Sequence, residues 1–202
     1  MPVELDPDAA LMLRVKQGDT AAFTTLVEKY KQPVLNLAWR TLRDETEAED
    51  LAQNVFVQAW KSAERYQATA KFSTWLFTIA RNLCLNEIRR RVRHPAESLD
   101  QTRDDSEDQP LHQVVDKRIA AAPDELLCAE LEHKVDEALS ALPENQRTAL
   151  VLCRQEELSY EEIAAVLGCS LSATKSLIHR ARETLKARLK PYLHSGVWEA
   201  PK

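Results

Sequence analysis

Residues 175–182 carry basic and hydrogen-bonding side chains that could bind nucleic acid. At helical spacing the candidate side chains share one face, and they are Lys175, Ser176, His179, Arg180 and Arg182. Lys175 and Arg180 can donate to a guanine edge or to a phosphate, and the sequence does not decide between these partners. Arg182 fits a phosphate contact and a solvated charge equally well. The apolar side of the same helix consists of Thr174, Ile178, Ala181 and Leu185.

This basic helix is the second of two closely spaced helices. Ser159 and Glu162 form the capping-box pattern that starts the first helix, and Gly168 supplies the positive φ of a tight turn. Ser170 or Ser172 can then cap the second helix. The pattern predicts a helix-turn-helix whose second helix enters the major groove of DNA. Two packed helices with a solvated basic face are the alternative.

The composition predicts an almost entirely helical protein. The chain has 202 residues, only three glycines and a formal net charge of −5. Residues 97–125 contain nine acidic and three basic side chains, so the excess of negative charge lies in this segment. We therefore expect an acidic segment between two helical parts, each of which carries basic side chains.

Nothing in the sequence indicates catalysis, a metal site or a membrane segment. Glycine-rich phosphate loops and the His-Glu-x-x-His pattern are absent. The four cysteines form no Cys-x-x-Cys pair and fit buried packing better than a redox role. No signal peptide or long apolar run is present. We expect a soluble, cytoplasmic, reduced protein that is not an enzyme, needs no cofactor or metal, and does not insert into a membrane.

Hydrophobic periodicity predicts the remaining helices. Residues from about Ala9 to Arg93 form a first helical block, in which amphipathic segments are separated at Pro33 and a long helix runs from Thr46 to about Tyr66. Another helix covers residues 72–93. After a polar stretch, helices resume at Leu126 to Leu142 and from Pro143 to about Gln155.

The helix over residues 72–93 combines aromatic side chains with a basic run at its end. Unpaired bases stack on aromatic rings while cations follow the phosphates, so this helix suits single-stranded DNA. Packing in the core is an equally good interpretation of Trp75, Leu76 and Ile79. The basic run also suits a solvated helix end that the helix dipole favours.

Five segments, in this order and spacing, resemble a bacterial RNA polymerase sigma factor of the extracytoplasmic-function (ECF) group. They are GDTAAFTTLVEKY (18–30), EAEDLAQNVFVQAWK (47–61), FSTWLFTIARNLCLNEIRR (72–90), LPENQRTALVL (142–152) and the helix-turn-helix. The resemblance implies an all-α fold with two helical domains. These would be sigma region 2 at residues 1–94 and the helix-turn-helix region 4 at residues 126–202, joined by a flexible acidic linker at residues 95–125. The linker has two alternative roles: it is an inert tether, or it threads through polymerase.

The resemblance also implies roles for particular residues. The helix at 47–61 would bind the β′ clamp helices of core RNA polymerase, and its matching positions are Asp50, Leu51, Gln53 and Phe56. Asn54 stands where the family often has Glu, which puts one charged contact there in doubt. The alternative is an ordinary solvated acidic face.

In region 2 the resemblance implies recognition and melting of the −10 element. The side chains that would do so are Lys71, Trp75, Arg81, Asn82, Arg89 and Arg90. The basic face of residues 175–182 would read the −35 element as duplex. Leu177 departs from the family, which commonly has Arg there, and this change removes one contact or widens the packed face.

The expected partners are therefore core RNA polymerase (the β′ clamp helices and the β subunit), promoter DNA and an anti-sigma factor. Two other functions compete with this interpretation. A stand-alone helix-turn-helix regulator would bind duplex DNA without polymerase. A helical protein-interaction module would use the acidic face and have no need of Arg180.

Overall fold

The architecture is all-helical in the residues that the computed structural model describes, which are 5–93, 123–154 and 158–195. A short 3₁₀ turn, Ala63–Arg65, follows the third helix. The α-helices are α1 (Pro7–Lys16), α2 (Thr20–Leu42), α3 (Glu45–Lys61), α4 (Phe72–Arg93), α5 (Pro123–Ser140), α6 (Glu144–Cys153), α7 (Tyr160–Leu167) and α8 (Leu171–Ser195). This confirms the predicted fold class. The predicted linker lies largely outside the described residues, and its last three positions belong to the first turn of α5.

Aspartates start the first three helices. The carboxylates of Asp6, Asp19 and Asp44 each accept a hydrogen bond from the backbone N–H three residues later. Such caps satisfy amides that have no partner within the helix. The pKa of Asp19 is lowered by its hydrogen bonds from the backbone of Ala22 and from the side chain of Arg14. The helix starts therefore follow from local sequence chemistry.

The predicted separation of two helical segments at Pro33 is wrong, because α2 is continuous from Thr20 to Leu42. Proline removes one helical hydrogen bond, but packing on both sides of it offsets that loss. Tyr30 and Val34 flank the proline and are both buried. The long helix predicted to reach Tyr66 instead ends at Lys61, where a short 3₁₀ turn takes over.

The N-terminal part (α1–α4) and the C-terminal part (α5–α8) pack directly on one another. Helix α4 lies against α7, and α2 lies against α6 and α5. A single cluster of buried hydrophobic side chains includes Phe77 and Cys84 of α4 together with Ile163 and Leu167 of α7. The two basic helices therefore belong to one packed assembly.

Cys84 is expected to resist alkylation in the folded protein. Its side chain is only 2% exposed, and burial raises the pKa of the thiol to about 12. At pH 8 the thiolate fraction is then on the order of one in ten thousand. Mass spectrometry after iodoacetamide treatment should find Cys84 unmodified in buffer and modified in guanidinium chloride. Equal modification in both conditions would contradict its burial.

Candidate nucleic-acid and polymerase interfaces

The helix-turn-helix has the local geometry that its sequence predicts. The N–H of Ser159 donates to the Glu162 carboxylate at 2.6 Å, and the N–H of Glu162 donates to the Ser159 hydroxyl at 3.2 Å. Gly168 has φ +64° and ends α7 in the left-handed conformation. Of the two candidate caps for α8, Ser170 accepts from the N–H of Ala173 at 3.2 Å. These contacts fix the turn that leads into α8.

The predicted DNA-reading face of α8 is exposed along its length. The exposed residues are Lys175, Ser176, His179, Arg180 and Arg182. Thr174, Ile178 and Ala181 are buried on the opposite face, where Leu177 adds a partly buried side chain. Leu177 therefore widens the packed face. Arg182 lies at the edge of the basic face, and its guanidinium donates to the Cys153 sulfur at 3.4 Å.

A second exposed polar surface surrounds the start of α4. Lys71 and Asn82 are exposed and Arg81 is half-buried. Trp75 is also half-buried, with its ring centroid 5.0 Å from that of Tyr66 and 5.8 Å from that of Phe72. The tryptophan is thus part of an aromatic cluster and still reaches the surface.

The loop before α4 borders a cavity of about 750 Å³ between residues 5–9 and residues 68–71. The carboxylate of Asp6 accepts the N–H of Phe72 at 2.9 Å and so ties this loop to the start of α1. Sequence reasoning missed this contact, although Asp6 before Pro7 is a recognisable helix cap. The Tyr66 hydroxyl is buried without a hydrogen-bond partner among the described residues, and burial raises its pKa to about 12.

The basic run at the end of α4 divides into two groups. Arg89 and Arg90 are exposed, and Arg90 pairs with Glu87 at 2.9 Å. Arg91 turns inward, where its guanidinium pairs with Glu47 and donates to the carbonyl of Leu42 at 2.9 Å. Arg91 therefore holds α4 to α2 and α3, whereas Arg89 and Arg90 lie on the surface.

The candidate polymerase-binding helix, α3, presents a mixed polar and apolar surface. Asp50 and Gln53 are exposed and Phe56 is half-buried. Leu51 is only 7% exposed, and it lies in a groove between α3 and α4 that Asp50 and Asn54 also line. Its side chain belongs mainly to the core, so it supports this surface from below.

Two apolar side chains on α3 were missed by sequence reasoning. Val57 is 45% exposed and Trp60 is 42% exposed. The Trp60 ring packs edge-on against Phe23 of α2, with a centroid separation of 4.9 Å. An exposed tryptophan held by a neighbouring ring is typical of a protein-binding surface. The sequence could have indicated Trp60, because it follows Gln53 by two helical turns and therefore lies on the same face of α3.

The described residues lack two other features. No group of three or more His, Cys, Asp or Glu side chains among them could hold a metal ion. Of the helices that the structure describes, none combines the length and apolar character that crossing a membrane requires.

Comparison with known proteins agrees with this arrangement. The family "Sigma-70 region 2" matches residues 26–94, and "Sigma-70, region 4" matches residues 132–185. The RNA polymerase sigma-H factor of Pseudomonas aeruginosa is 38% identical over 195 residues, which cover 95% of this chain and 98% of that protein. The ECF sigma factor SigW of Bacillus subtilis is 33% identical over 177 residues, covering 88% of this chain and 94% of SigW.

Two solved structures share the fold. CnrH in complex with the cytosolic domain of CnrY has a TM-score of 0.65 and 27% identity, covering 92% of this chain and 99% of CnrH. The sigma factor RpoE of Bartonella quintana, in complex with the anti-sigma factor NepR, has a TM-score of 0.61 and 27% identity. That match covers 83% of this chain and 96% of RpoE.

Both conserved sigma regions are thus present in the predicted order. The match covers 98% of sigma-H and 94% of SigW. The family consists of transcription initiation factors, which confirms that the chain is not an enzyme. The chain belongs to the sigma-70 family, and it is an ECF-type sigma factor, a subunit that binds core RNA polymerase and promoter DNA.

Proposed function

We propose that this sigma factor uses two separate surfaces to choose its promoters. The −35 surface consists of Lys175, Ser176, His179, Arg180 and Arg182 on α8. The −10 surface consists of Lys71, Trp75, Arg81 and Asn82, with Arg89 and Arg90 at the far end of α4. One observation supports this proposal above all others: both surfaces expose hydrogen-bond donors on helices whose opposite faces are buried. The proposed division of the chain into residues 1–94, 95–125 and 126–202 assigns one surface to each end domain.

The chemistry of the two surfaces differs. The −35 surface is a helix face with Lys, Arg and His donors, which suits base edges and phosphates in a major groove. The −10 surface combines a half-buried aromatic ring, an exposed amide and a bordering cavity. Flipped or unstacked bases need stacking partners and hydrogen bonds to their edges, so this surface suits a melted strand.

The polymerase-binding surface in this proposal is α3. Asp50 and Gln53 would provide polar contacts to the β′ clamp helices, and Phe56 would add apolar area. Leu51 would support them from the core, and the exposed Trp60 would extend the surface towards the end of the helix. Contacts of region 4 with the β subunit complete the proposed assembly.

We further infer that an anti-sigma factor regulates this sigma factor. We also infer that the sigma factor acts in the cytoplasm. RpoE of Bartonella quintana was solved with the anti-sigma factor NepR, and its fold matches 83% of this chain. Core polymerase and chromosomal DNA are cytoplasmic in bacteria, which supports this location. Each DNA surface is small, so we expect weak DNA binding until polymerase fixes the separation of the two surfaces.

Transcription by bacterial core polymerase from a promoter library tests the proposal. Adding the purified protein should produce transcripts that start downstream of a shared −35 and −10 element. Tight binding of duplex DNA by the protein alone, with no such transcripts, would favour the stand-alone regulator instead.

Asn82→Ala is expected to reduce promoter opening by about tenfold, because one hydrogen-bonded base contact is worth about 1–3 kcal/mol. Capture of duplex promoter by the holoenzyme should change little. Permanganate footprinting measures opening, and a filter-binding assay measures capture. Gln32→Ala, which removes another exposed amide, is the control. Equal losses of capture and opening in Asn82→Ala would contradict the proposed division of labour.

A further inference from the structure

We propose that α1 fixes the shape of the loop at residues 67–71, and that its Asp6 and Lys16 side chains thereby determine which base the −10 surface prefers. Both are positioning residues, because they contact the ends of the loop and act on DNA only through it. This inference rests on the proposed function of the −10 surface, to which Lys71 of the loop belongs. Two hydrogen bonds from α1, one at each end of the loop, carry the proposal.

The first hydrogen bond lies at the end of the loop where α4 begins. One carboxylate oxygen of Asp6 accepts the N–H of Ala9 at 3.2 Å and the N–H of Phe72 at 2.9 Å. The first amides of a helix have no acceptor within it. Lys71 precedes Phe72, and a lysine side chain can only donate. Asp6 therefore caps α1 and also supplies the acceptor that the first residue of α4 needs.

The second hydrogen bond lies at the other end of the loop. The ammonium of Lys16, the last residue of α1, donates to the backbone carbonyl of Tyr66 at 3.1 Å. Tyr66 directly precedes the loop, and its side chain is buried. A charged donor makes a stronger hydrogen bond than a neutral one does. Side chains from the two ends of one helix thus hold the backbone at the two ends of the loop.

Helix α1 is itself fixed to the core of its domain. Ala9 and Met12 are fully buried, and Asp8 beside them is buried as well. The Asp8 carboxylate accepts hydrogen bonds from the ammonium of Lys29 at 2.7 Å and from the hydroxyl of Tyr30 at 2.5 Å. Both donors belong to α2. A buried carboxylate with two such partners leaves its helix little freedom to move, so α1 can serve as a fixed support.

The loop between the two supported ends is open to a ligand. Gln67, Thr69, Ala70 and Lys71 are exposed, and Ala68 is half-buried against the core. The cavity of about 750 Å³ has residues 68–71 on one side and the start of α1 on the other. The shape of this cavity therefore depends on where α1 places the loop.

One ion pair also reaches the loop from the helix-turn-helix. The ammonium of Lys71 lies 3.0 Å from the Glu162 carboxylate, and the Lys71 side chain is 52% exposed. Ion pairs at exposed positions contribute little to stability. This pair holds the tip of a flexible side chain, whereas the contacts from α1 hold the backbone. The backbone position of the loop therefore depends mainly on α1.

Base preference is more sensitive to the position of the loop than DNA affinity is. A hydrogen bond to a base edge is lost when its two atoms move about 1 Å apart, whereas the attraction between a cation and a phosphate falls off slowly with distance. Base edges carry the sequence information and phosphates do not. Loss of either contact from α1 should therefore relax the choice of base at the −10 element more than it weakens DNA binding.

Two substitutions of Asp6 separate the position of the loop from the folding of α1. Asp6→Asn keeps an oxygen that can accept from both N–H groups, and Asn is a good helix cap. Asp6→Ser also caps α1, but its oxygen lies one bond closer to the backbone and gives up the contact with Phe72. Both variants remove the same negative charge. A difference between them therefore reports the hydrogen bond to Phe72.

Lys16→Met removes the second hydrogen bond and retains an unbranched side chain. Its matched control is Arg14→Met, which removes a positive charge from the same end of α1. Arg14 pairs with Asp19 at 2.7 Å, and its side chain is 59% exposed. The control therefore removes an ion pair that does not hold the loop.

Transcription of a promoter library by the holoenzyme measures base preference at each position of the −10 element. Asp6→Ser and Lys16→Met should each reduce the ratio of the preferred base to the others about fivefold, which is the effect of losing one hydrogen bond. Preference at the −35 element should not change. Asp6→Asn and Arg14→Met should keep the wild-type ratios. A uniform fall of all transcripts with unchanged ratios would overturn the proposal, because it would give Asp6 and Lys16 a role in folding alone.

Hydrogen exchange of the Phe72 amide, followed by nuclear magnetic resonance of the full chain, measures the first contact directly. Exchange should be about tenfold faster in Asp6→Ser than in Asp6→Asn, since the amide loses its acceptor. Equal exchange in the two variants would overturn the proposal, and so would faster exchange with unchanged base preference. Both results would leave the −10 surface in place. A wild-type library with no preference at the −10 element would instead refute the proposed function of that surface and this inference with it.

Discussion

Phe72→Ala is expected to lower the free energy of unfolding of region 2 by about 3–5 kcal/mol. Phe72 is 1% exposed, and its ring centroid lies 5.4 Å from that of Tyr30 and 6.3 Å from that of Tyr66. Truncation removes these ring contacts and leaves a cavity that rigid neighbouring helices cannot fill. A loss of this size is a large share of the stability of a typical domain.

Guanidinium chloride denaturation followed by circular dichroism measures this effect. Phe23→Ala is the control, because Phe23 is only partly buried and packs against the exposed Trp60. Phe23→Ala should lower the free energy of unfolding clearly less than Phe72→Ala does. The Phe72 variant should also impair −10 recognition, since the Phe72 ring packs against Trp75 with a centroid separation of 5.8 Å. Similar losses from the two variants would show that the aromatic cluster is not the centre of this core.

Arg180→Ala is expected to weaken promoter recognition by about 1–3 kcal/mol, which corresponds to about 5- to 150-fold. Arg180 is exposed near the middle of the −35 surface, so its truncation removes donors without opening the core. The loss should appear on promoters with an intact −35 element and disappear when that element is scrambled. That dependence separates a base contact from a general loss of positive charge.

The test compares transcription by the wild-type and Arg180→Ala proteins on paired promoters, one with and one without the −35 element. Lys190→Ala is the control, because Lys190 is an exposed base near the end of the same helix. A phosphate contact at Arg180 would reduce transcription from every promoter that keeps the spacing. Equal transcription by the two proteins from the promoter with an intact −35 element would refute the assignment of Arg180 to the major groove.

The sequence by itself determined the local features of this protein. The capping box of Ser159 and Glu162, the turn at Gly168 and the buried face of α8 each depend on residues within a few positions of one another. Hydrogen bonds to nearby amides and helical periodicity act at that range, so the pattern is visible without a structure. The order of the sigma segments was equally readable.

Tertiary structure alone decided which way several ambiguous side chains face. Arg91 stands among surface arginines in sequence, yet it is drawn inward by Glu47 and the end of α2. Helix α2 continues through Pro33 because the neighbouring turns are packed. Lys71 and Glu162 are separated by 90 residues, and local propensity carries no information about a pairing across that distance. Long-range packing placed the helix-turn-helix against α4, because burying the apolar faces of α4 and α7 together stabilises a contact that neither helix encodes alone.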